Sequence, residues 1–185
     1  HLASVPGGAA ERDPALAKRV NLDASMALID AAAKAGRCPR FVFASSIAVF
    51  GDPLSAAVDD TTPLAPRLLY GAQKAMIEQW IDTQTRRGEI AGLSLRLPGI
   101  VARPRAAGGM KSAFMSDLFH ALRAGEGIEL PVSPHATLWL MSVEQAADNM
   151  ARALSSDAVG AVTLPALRVQ MAELVSAIAS ATGAD

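Results

Sequence analysis

Phe41-Val-Phe-Ala44 is an unbroken apolar run that ends in two hydroxyls, Ser45 and Ser46. A strand wetted on one face alternates polar and apolar residues. A continuous run fits a strand covered on both faces, as in a parallel sheet between helices. Residues 40–46 are therefore expected to form such a strand, and helical stretches bracket it. Asp13-Pro14 offers a cap and a first-turn proline for a helix running to about Ala35, with Gly36 to end it. A second helix is expected from residue 68 to about 87, then a strand at 93–97 with Arg96 inside it, broken by Pro98-Gly99. Helix, strand, helix, strand is the signature of an α/β fold. Ligands of such sheets bind at the carboxyl ends of the strands, where Ser45 and Ser46 lie.

The remaining segments are read more coarsely. Residues 5–12 are expected to be a Gly/Pro loop and residues 52–67 a polar, proline-containing one. After Met110 the expected order is a helix over 111–124, strands at 128–132 and 137–141, a helix over 143–154, a strand at 161–164 and a closing helix over 169–182. No internal repeat or low-complexity tract interrupts it.

Composition excludes several partners. The chain is 51% hydrophobic but 4% aromatic, with much of the apolar content small, which suits helices packed closely on a sheet. Seventeen basic and 18 acidic residues give a net charge of −1, so nothing favours nucleic acid or an anionic membrane. No run approaches the roughly 18 apolar residues of a membrane span. Cys38 has no second cysteine to pair with, and His1, His120 and His135 are too scattered for a metal site. A cytoplasmic location and no metal are expected.

Tyr70-Gly-Ala-Gln-Lys74 carries the chemistry. Four residues apart on a helix, Tyr70 and Lys74 share a face. A phenol is a poor base at neutral pH, and a neighbouring ammonium lowers its pKa by stabilising the phenolate. A nearby serine hydroxyl could orient a reacting oxygen for proton transfer. The same spacing also suits a surface Tyr and Lys on an ordinary helix. Asn21, likewise, could be a solvated polar residue, Ser45 a turn cap, and Trp139 core filling.

The order of landmarks resembles the extended short-chain dehydrogenase/reductase family, also called NAD-dependent epimerase/dehydratases. Those landmarks are His1-Leu-Ala-Ser4, Asn21, Phe41 through Gly51, Pro66 through Lys74, and Leu95-Arg-Leu-Pro-Gly-Ile-Val-Ala-Arg-Pro104. The resemblance implies a Rossmann-type, doubly wound parallel sheet, N-terminally incomplete, over residues 1–105. Residues 106–185 would be a small substrate-binding portion. It implies Tyr70 as general acid/base, Lys74 as pKa modulator and ribose ligand, and Ser46 as the hydroxyl that holds the reacting oxygen. Leu2, Ala3, Ser4, Asn21, Ala44, Ser45, Leu97, Pro98, Gly99 and Ile100 would join Tyr70 and Lys74 around NAD, with NADP not excluded. Ser45, Ser46, Tyr70, Arg103, Arg105 and Trp139 would face substrate, the arginines being suited to a carboxylate by their forked donors.

Within the family, residues 95–104 and Val162-Thr-Leu-Pro-Ala166 resemble D-erythronate dehydrogenase-like members, which oxidise a short sugar acid. Gly99 stands where many members carry an Asn for a nucleotide-sugar. Ile47-Ala48 stand where dehydratases carry Asp-Glu, which argues against dehydration. The expected activity is NAD(P)-dependent oxidation of a secondary alcohol, with nucleotide-sugar epimerisation as the alternative and a non-catalytic cofactor sensor or scaffold as a third. A homodimer through the helices at 14–35 and 68–87 is also implied.

The Gly-rich turn that receives a dinucleotide's pyrophosphate is not found in these 185 residues. The family places roughly 60 residues, about two βαβ units, before His1, and the chain reads as an interior piece of a longer enzyme. By itself it is expected neither to bind NAD tightly nor to catalyse. Calorimetry with NAD and with NADP should show affinity no better than about millimolar. Micromolar binding would mean that a phosphate site is built from residues read as loops.

Overall fold

The computed structural model describes residues 1–51, 54, 57–103 and 114–183. They fall into two compact units, residues 1–97 with 148–164, and residues 98–147 with 165–185. The division differs from a single cut after residue 105. Residues 148–164 return to the first unit because the strand Gly160–Thr163 pairs there.

In the first unit, β1 (Arg40–Ser46), β2 (Ala91–Leu97) and β5 (Gly160–Thr163) form a parallel sheet in the order β1-β2-β5. Register sets Ser46 opposite Leu97, so the carboxyl ends of β1 and β2 finish level. His1 lies along the other side of β1, its backbone nitrogen donating to the Val42 carbonyl and its carbonyl accepting from Ala44 N–H at 3.0 Å. Both faces of β1 are covered, as its unbroken apolar run requires. Phe41 and Phe43 pack with Ile29, Ile77, Ile81 and Ile90, while Val42 packs with Leu93, Leu95 and Ala153. Full burial of each such side chain is worth about 1.5–3 kcal/mol.

The helices depart from expectation near the amino end. Residues 7–12 are not a loop but the short helix α1 (Gly7–Arg12), with Pro6 just before it. Pro6, Gly7 and Gly8 suggest a loop by composition. Ala9, Ala10, Glu11 and Arg12 are good helix formers, however, and Gly8 and Ala10 are buried. Asp13 caps the next helix as expected, its carboxylate accepting from Leu16 N–H at 2.9 Å. That helix is not uniform. α2 (Pro14–Ala17) passes through a wide π-type turn (Lys18–Asp23) into α3 (Ala24–Lys34). The widened turn contains buried Asn21, and such bulges gather at functional positions.

α4 (Leu69–Arg86) follows, its first N–H capped from outside by the Glu11 carboxylate, 2.7 Å from Leu69 N. Gly71 lets its first turn press on the short 3₁₀ turn Ile47–Val49. A Cβ at Gly71 would stand 2.1 Å from the Ala48 carbonyl oxygen.

The second unit has its own sheet, in the order β3 (Gly99–Val101), β4 (Thr137–Ser142), β6 (Leu167–Gln170), parallel then antiparallel. α5 (Phe114–Ala124) and α7 (Met171–Thr182) close a core of Val101, Met115, Leu118, Leu140, Met171, Leu174 and Ile178. Two expectations are corrected here. Residues 128–132 form no strand. Ile128, Leu130 and Val132 do pack on that core, but as irregular chain outside the ladders of the described residues. The closing helix begins at Met171, because Val169 belongs to β6 and pairs with Leu138. The remaining helix, α6, spans Val143–Leu154.

Gly71→Ala should cost about 1–3 kcal/mol of stability, since the clash is with backbone and a helix cannot retreat as a side chain can. Gly127→Ala, whose new methyl would meet nothing within 4 Å, should stay within about 0.5 kcal/mol of wild type. Urea denaturation of the two variants side by side checks the contrast.

Candidate active site

Three segments of the first unit converge on Tyr70. α4 supplies the phenol, the end of β1 supplies Ser46, and the chain after His1 supplies Ser4. The hydroxyls of Ser4 and Ser46 both act on the phenol. Ser46 also receives Ala48 N–H at 3.1 Å, so the 3₁₀ turn that follows β1 fixes its side chain. Partial burial raises the Tyr70 pKa above the ordinary phenol value, and the two serine hydroxyls pull the other way without reversing it. The expected lowering by Lys74 is not what this arrangement produces. The resting tyrosine is a neutral phenol.

Lys74 explains why. Its Nζ donates to the Ala44 carbonyl at 2.8 Å and lies 4.5 Å from the Phe43 ring centroid and 5.5 Å from that of Tyr70. The ammonium is thus placed over aromatic faces and on a backbone oxygen. It is buried, at 3% exposure, and desolvation lowers its pKa to about 8 against the counter-pull of Glu78 one turn along α4. One of its three N–H donors serves Ala44, the carbonyl at the edge of β1 nearest the His1 segment.

Asn21 is a tie rod. Its side-chain oxygen accepts from Val5 N–H at 2.7 Å, and its amide nitrogen donates to the Val5 carbonyl at 3.0 Å and to Gln73 Oε1 at 2.7 Å. The π-type turn aims it at the segment carrying Ser4 and at the residue before Lys74. Ser45 points to the other face of β1 and is buried, its hydroxyl donating to the Glu78 carboxylate. That commits its side chain within the protein. Leu97 ends β2 level with Ser46.

Pro98, Gly99, Ile100, Arg103 and Trp139 belong to the second unit. There Gly99 and Ile100 open β3, and a Cβ at Gly99 would come within 3.0 Å of the Trp139 carbonyl oxygen. Trp139 is half-buried in β4 opposite Arg168. Arg103 N and Nε both approach Ser116 Oγ at 3.4 Å, and the His120 ring meets the Arg103 carbonyl at 2.8 Å. Arg105 lies outside the described residues. Among the described residues no group of acids, histidines and cysteines could hold a metal, and no helix is long and apolar enough to cross a membrane.

A tyrosine and a lysine on one turn of a helix, beside a serine that ends a parallel strand, accord with a family assignment. The model of the NAD dependent epimerase/dehydratase family matches residues 1–163. The chain belongs to that family. Among curated members it is 38% identical to the D-erythronate dehydrogenase of Cupriavidus necator and 32% identical to that of Haemophilus influenzae. Each match covers 99% of this chain, and 58% and 60% of those relatives' lengths. A solved structure described as the nucleoside-diphosphate-sugar epimerase from Agrobacterium tumefaciens superposes with a TM-score of 0.89 at 32% identity. It covers 99% of this chain and 56% of that one.

Within this epimerase/dehydratase chain, sequence reasoning missed Glu78 and Gln73. Gln73 lies inside the Tyr-Lys motif and reads as a spacer. Glu78 follows Lys74 by four residues on an amphipathic helix, and that spacing is the signal that could have found it.

Burying Lys74 has a measurable consequence. Between about pH 8 and the ordinary lysine value of 10.5, the unfolded chain holds a proton that the folded chain has released. Stability of the wild type relative to Lys74→Met should therefore rise with pH across that window, by about 2–3 kcal/mol in all. Denaturation midpoints of the two proteins at pH 7, 8.5 and 10 test it. Parallel curves would mean that Lys74 is not desolvated.

Proposed function

We propose that this chain carries the proton-transfer centre of an NAD-dependent dehydrogenase acting on the secondary alcohol of a short sugar acid. The observation behind the reading is the cluster of Ser4, Ser46, Tyr70 and Lys74, in which a half-buried phenol meets two hydroxyls at the carboxyl end of a parallel sheet. The names of the two curated relatives supply the substrate class.

The donor set fits the nicotinamide-ribose half of NAD. Lys74 has N–H donors beyond the one given to Ala44, suited to ribose hydroxyls, and Ser4 and Leu97 flank the position from either side of β1. The chemistry that a bound NAD would supply there is that of a hydride acceptor for the carbinol carbon. Ser46 holds the substrate oxygen beside Tyr70, and Tyr70 Oη receives the hydroxyl proton in oxidation or donates one in reduction. Since the resting phenol is neutral and must lose its own proton before it can take another, oxidation should speed up as pH rises toward about 8, above which Lys74 gives up its charge. The exposed Leu28 on α3 and Met76 on α4 support a homodimer through these helices.

Nucleotide-sugar epimerisation is the second reading, favoured by the description of the Agrobacterium structure. It needs the same transfers run in both directions on a bound sugar.

In the whole protein, Tyr70→Phe should lower kcat by about 10²- to 10⁴-fold while leaving NAD affinity near wild type. Turnover should be followed by NADH absorbance with D-erythronate and with UDP- and dTDP-sugars, and light scattering on the same sample should report a dimer. Near-wild-type rates in Tyr70→Phe would remove the catalytic assignment, and preference for the nucleotide sugars would replace the dehydrogenase reading with the epimerase one.

A further inference from the structure

Glu78 is 5% exposed and has a hydroxyl and a guanidinium drawn onto it. Ser45 Oγ, at the end of β1, donates to Oε1. Arg96, in β2, reaches both carboxylate oxygens, with Nη2 at 2.9 Å and Nε at 3.2 Å from each. Arg96 is itself buried, stacked 5.2 Å from the Phe50 ring centroid, and its Nη1 reaches the Asp60 carbonyl at 3.5 Å. Asp60 in turn accepts from Thr163 N–H in β5 at 2.5 Å. One carboxylate thus joins α4 to the two strands whose ends frame Tyr70, with a further link to the third.

The groups around Lys74 narrow what Glu78 does for it. On its own helix stand Tyr70, neutral, and Glu78. At the edge of β1 stands the His1 imidazole, stacked on Phe43 at 5.7 Å and bonded to Ser25. β1 itself presents the Phe43 ring and the Ala44 carbonyl. β2 presents Arg96, engaged with Glu78. Glu78 is the carboxylate in this set.

We propose that Glu78 is a positioning residue for the Tyr70–Lys74 pair, its carboxylate clamping the ends of β1 and β2 to α4 and supplying the counter-charge of the buried Lys74 ammonium. The proposal rests on the oxidoreductase reading for its kinetic consequence but not for its electrostatic one. A merely structural ion pair would hold the fold and leave Lys74 untouched. A counter-charge must shift the titration of Lys74 when it is removed. The pull of Glu78 on Lys74 already opposes desolvation there.

The test is a ¹³Cε titration of Lys74 by NMR, assigned by its loss in Lys74→Met. Glu78→Gln removes the charge and keeps the shape, but leaves Arg96 buried without a partner and could fail to fold. Glu78→Gln/Arg96→Met removes the pair together and avoids that problem. In folded Glu78→Gln the Lys74 midpoint should fall below the wild-type value by about one pH unit or more. The double variant also loses the Arg96 cation, so its reference is Arg96→Met, which loses that cation and keeps the carboxylate; the midpoint should lie lower in the double variant than in Arg96→Met by about one pH unit or more. Glu78→Asp, which keeps the charge, should retain most of the wild-type value. A midpoint in the double variant within about 0.3 pH units of that in Arg96→Met overturns the proposal. In kinetics on the whole protein, the alkaline limb of kcat/KM should lie lower in the double variant than in Arg96→Met and stay in place in Glu78→Asp; a limb shared by the double variant and Arg96→Met removes the link to the reaction. If the whole protein, rather than this chain alone, turns over no substrate, the oxidoreductase reading fails, and the NMR titration still decides the assignment of Glu78.

Discussion

The buried ion pair between Glu78 and Arg96 sits where the main chemistry-bearing elements of the first unit meet. Removing two charges from water costs several kcal/mol per ion, and only close geometry with further hydrogen bonds recovers it. Here the recovery is visible. Arg96 meets Glu78 through two nitrogens, Ser45 adds a third donor, and Phe50 covers the guanidinium. An apolar pair of similar volume could hold the same elements at less cost. What it could not supply is direction. Hydrogen bonds fix the rotation of α4 about its axis, and that rotation decides where Tyr70 points.

The sequence periods and the structure agree where burial alone sets the answer. The unbroken run at 41–44 demands two covered faces, and isoleucines from α3 and α4 with residues of β2 and α6 provide them. Tyr70 and Lys74 share a helix face because helical spacing leaves no other choice. Disagreement begins where pairing or local backbone decides. Ile128, Leu130 and Val132 alternate like a strand and are packed like one side of a strand, but pairing needs a neighbour that the pattern cannot name. β3 and β6 are three and four residues long, too short for periodicity to register. α1 hides behind Pro-Gly-Gly, which signals a loop by composition while the four residues that follow favour a helix.

The site divides the same way. Ser46, Tyr70 and Lys74 were legible as a set from spacing and the resemblance. The direction of the Tyr70 shift was not, because it depends on how much water reaches the phenol and on which atom Lys74 chooses. A lysine four residues from a tyrosine can reach the hydroxyl, the ring face or a strand carbonyl. In this fold the ring faces of Phe43 and Tyr70 and the Ala44 carbonyl hold it. Asn21 was legible as a candidate but not in its role, since the π-type turn that aims it at Val5 and Gln73 has no sequence signature.

Lys74 is also where stability and chemistry pull apart. An ammonium at 3% exposure is held at a cost, and a methionine of similar length would sit beside the Phe43 and Tyr70 rings with none of it. The surroundings reduce that cost without abolishing it. The Ala44 carbonyl takes one proton, two rings offer their negative faces, and Glu78 stands one turn away. The result is an amine whose pKa of about 8 lies close to neutrality, so its charge is retained at pH 7 by a narrow margin. A structural lysine gains nothing from such a margin. A lysine that presents a desolvated, directed charge to a ligand, as proposed for Lys74, gains strength from the same low dielectric that makes it expensive. Local violations of packing logic of this kind are what functional sites look like when the rest of the chain obeys it.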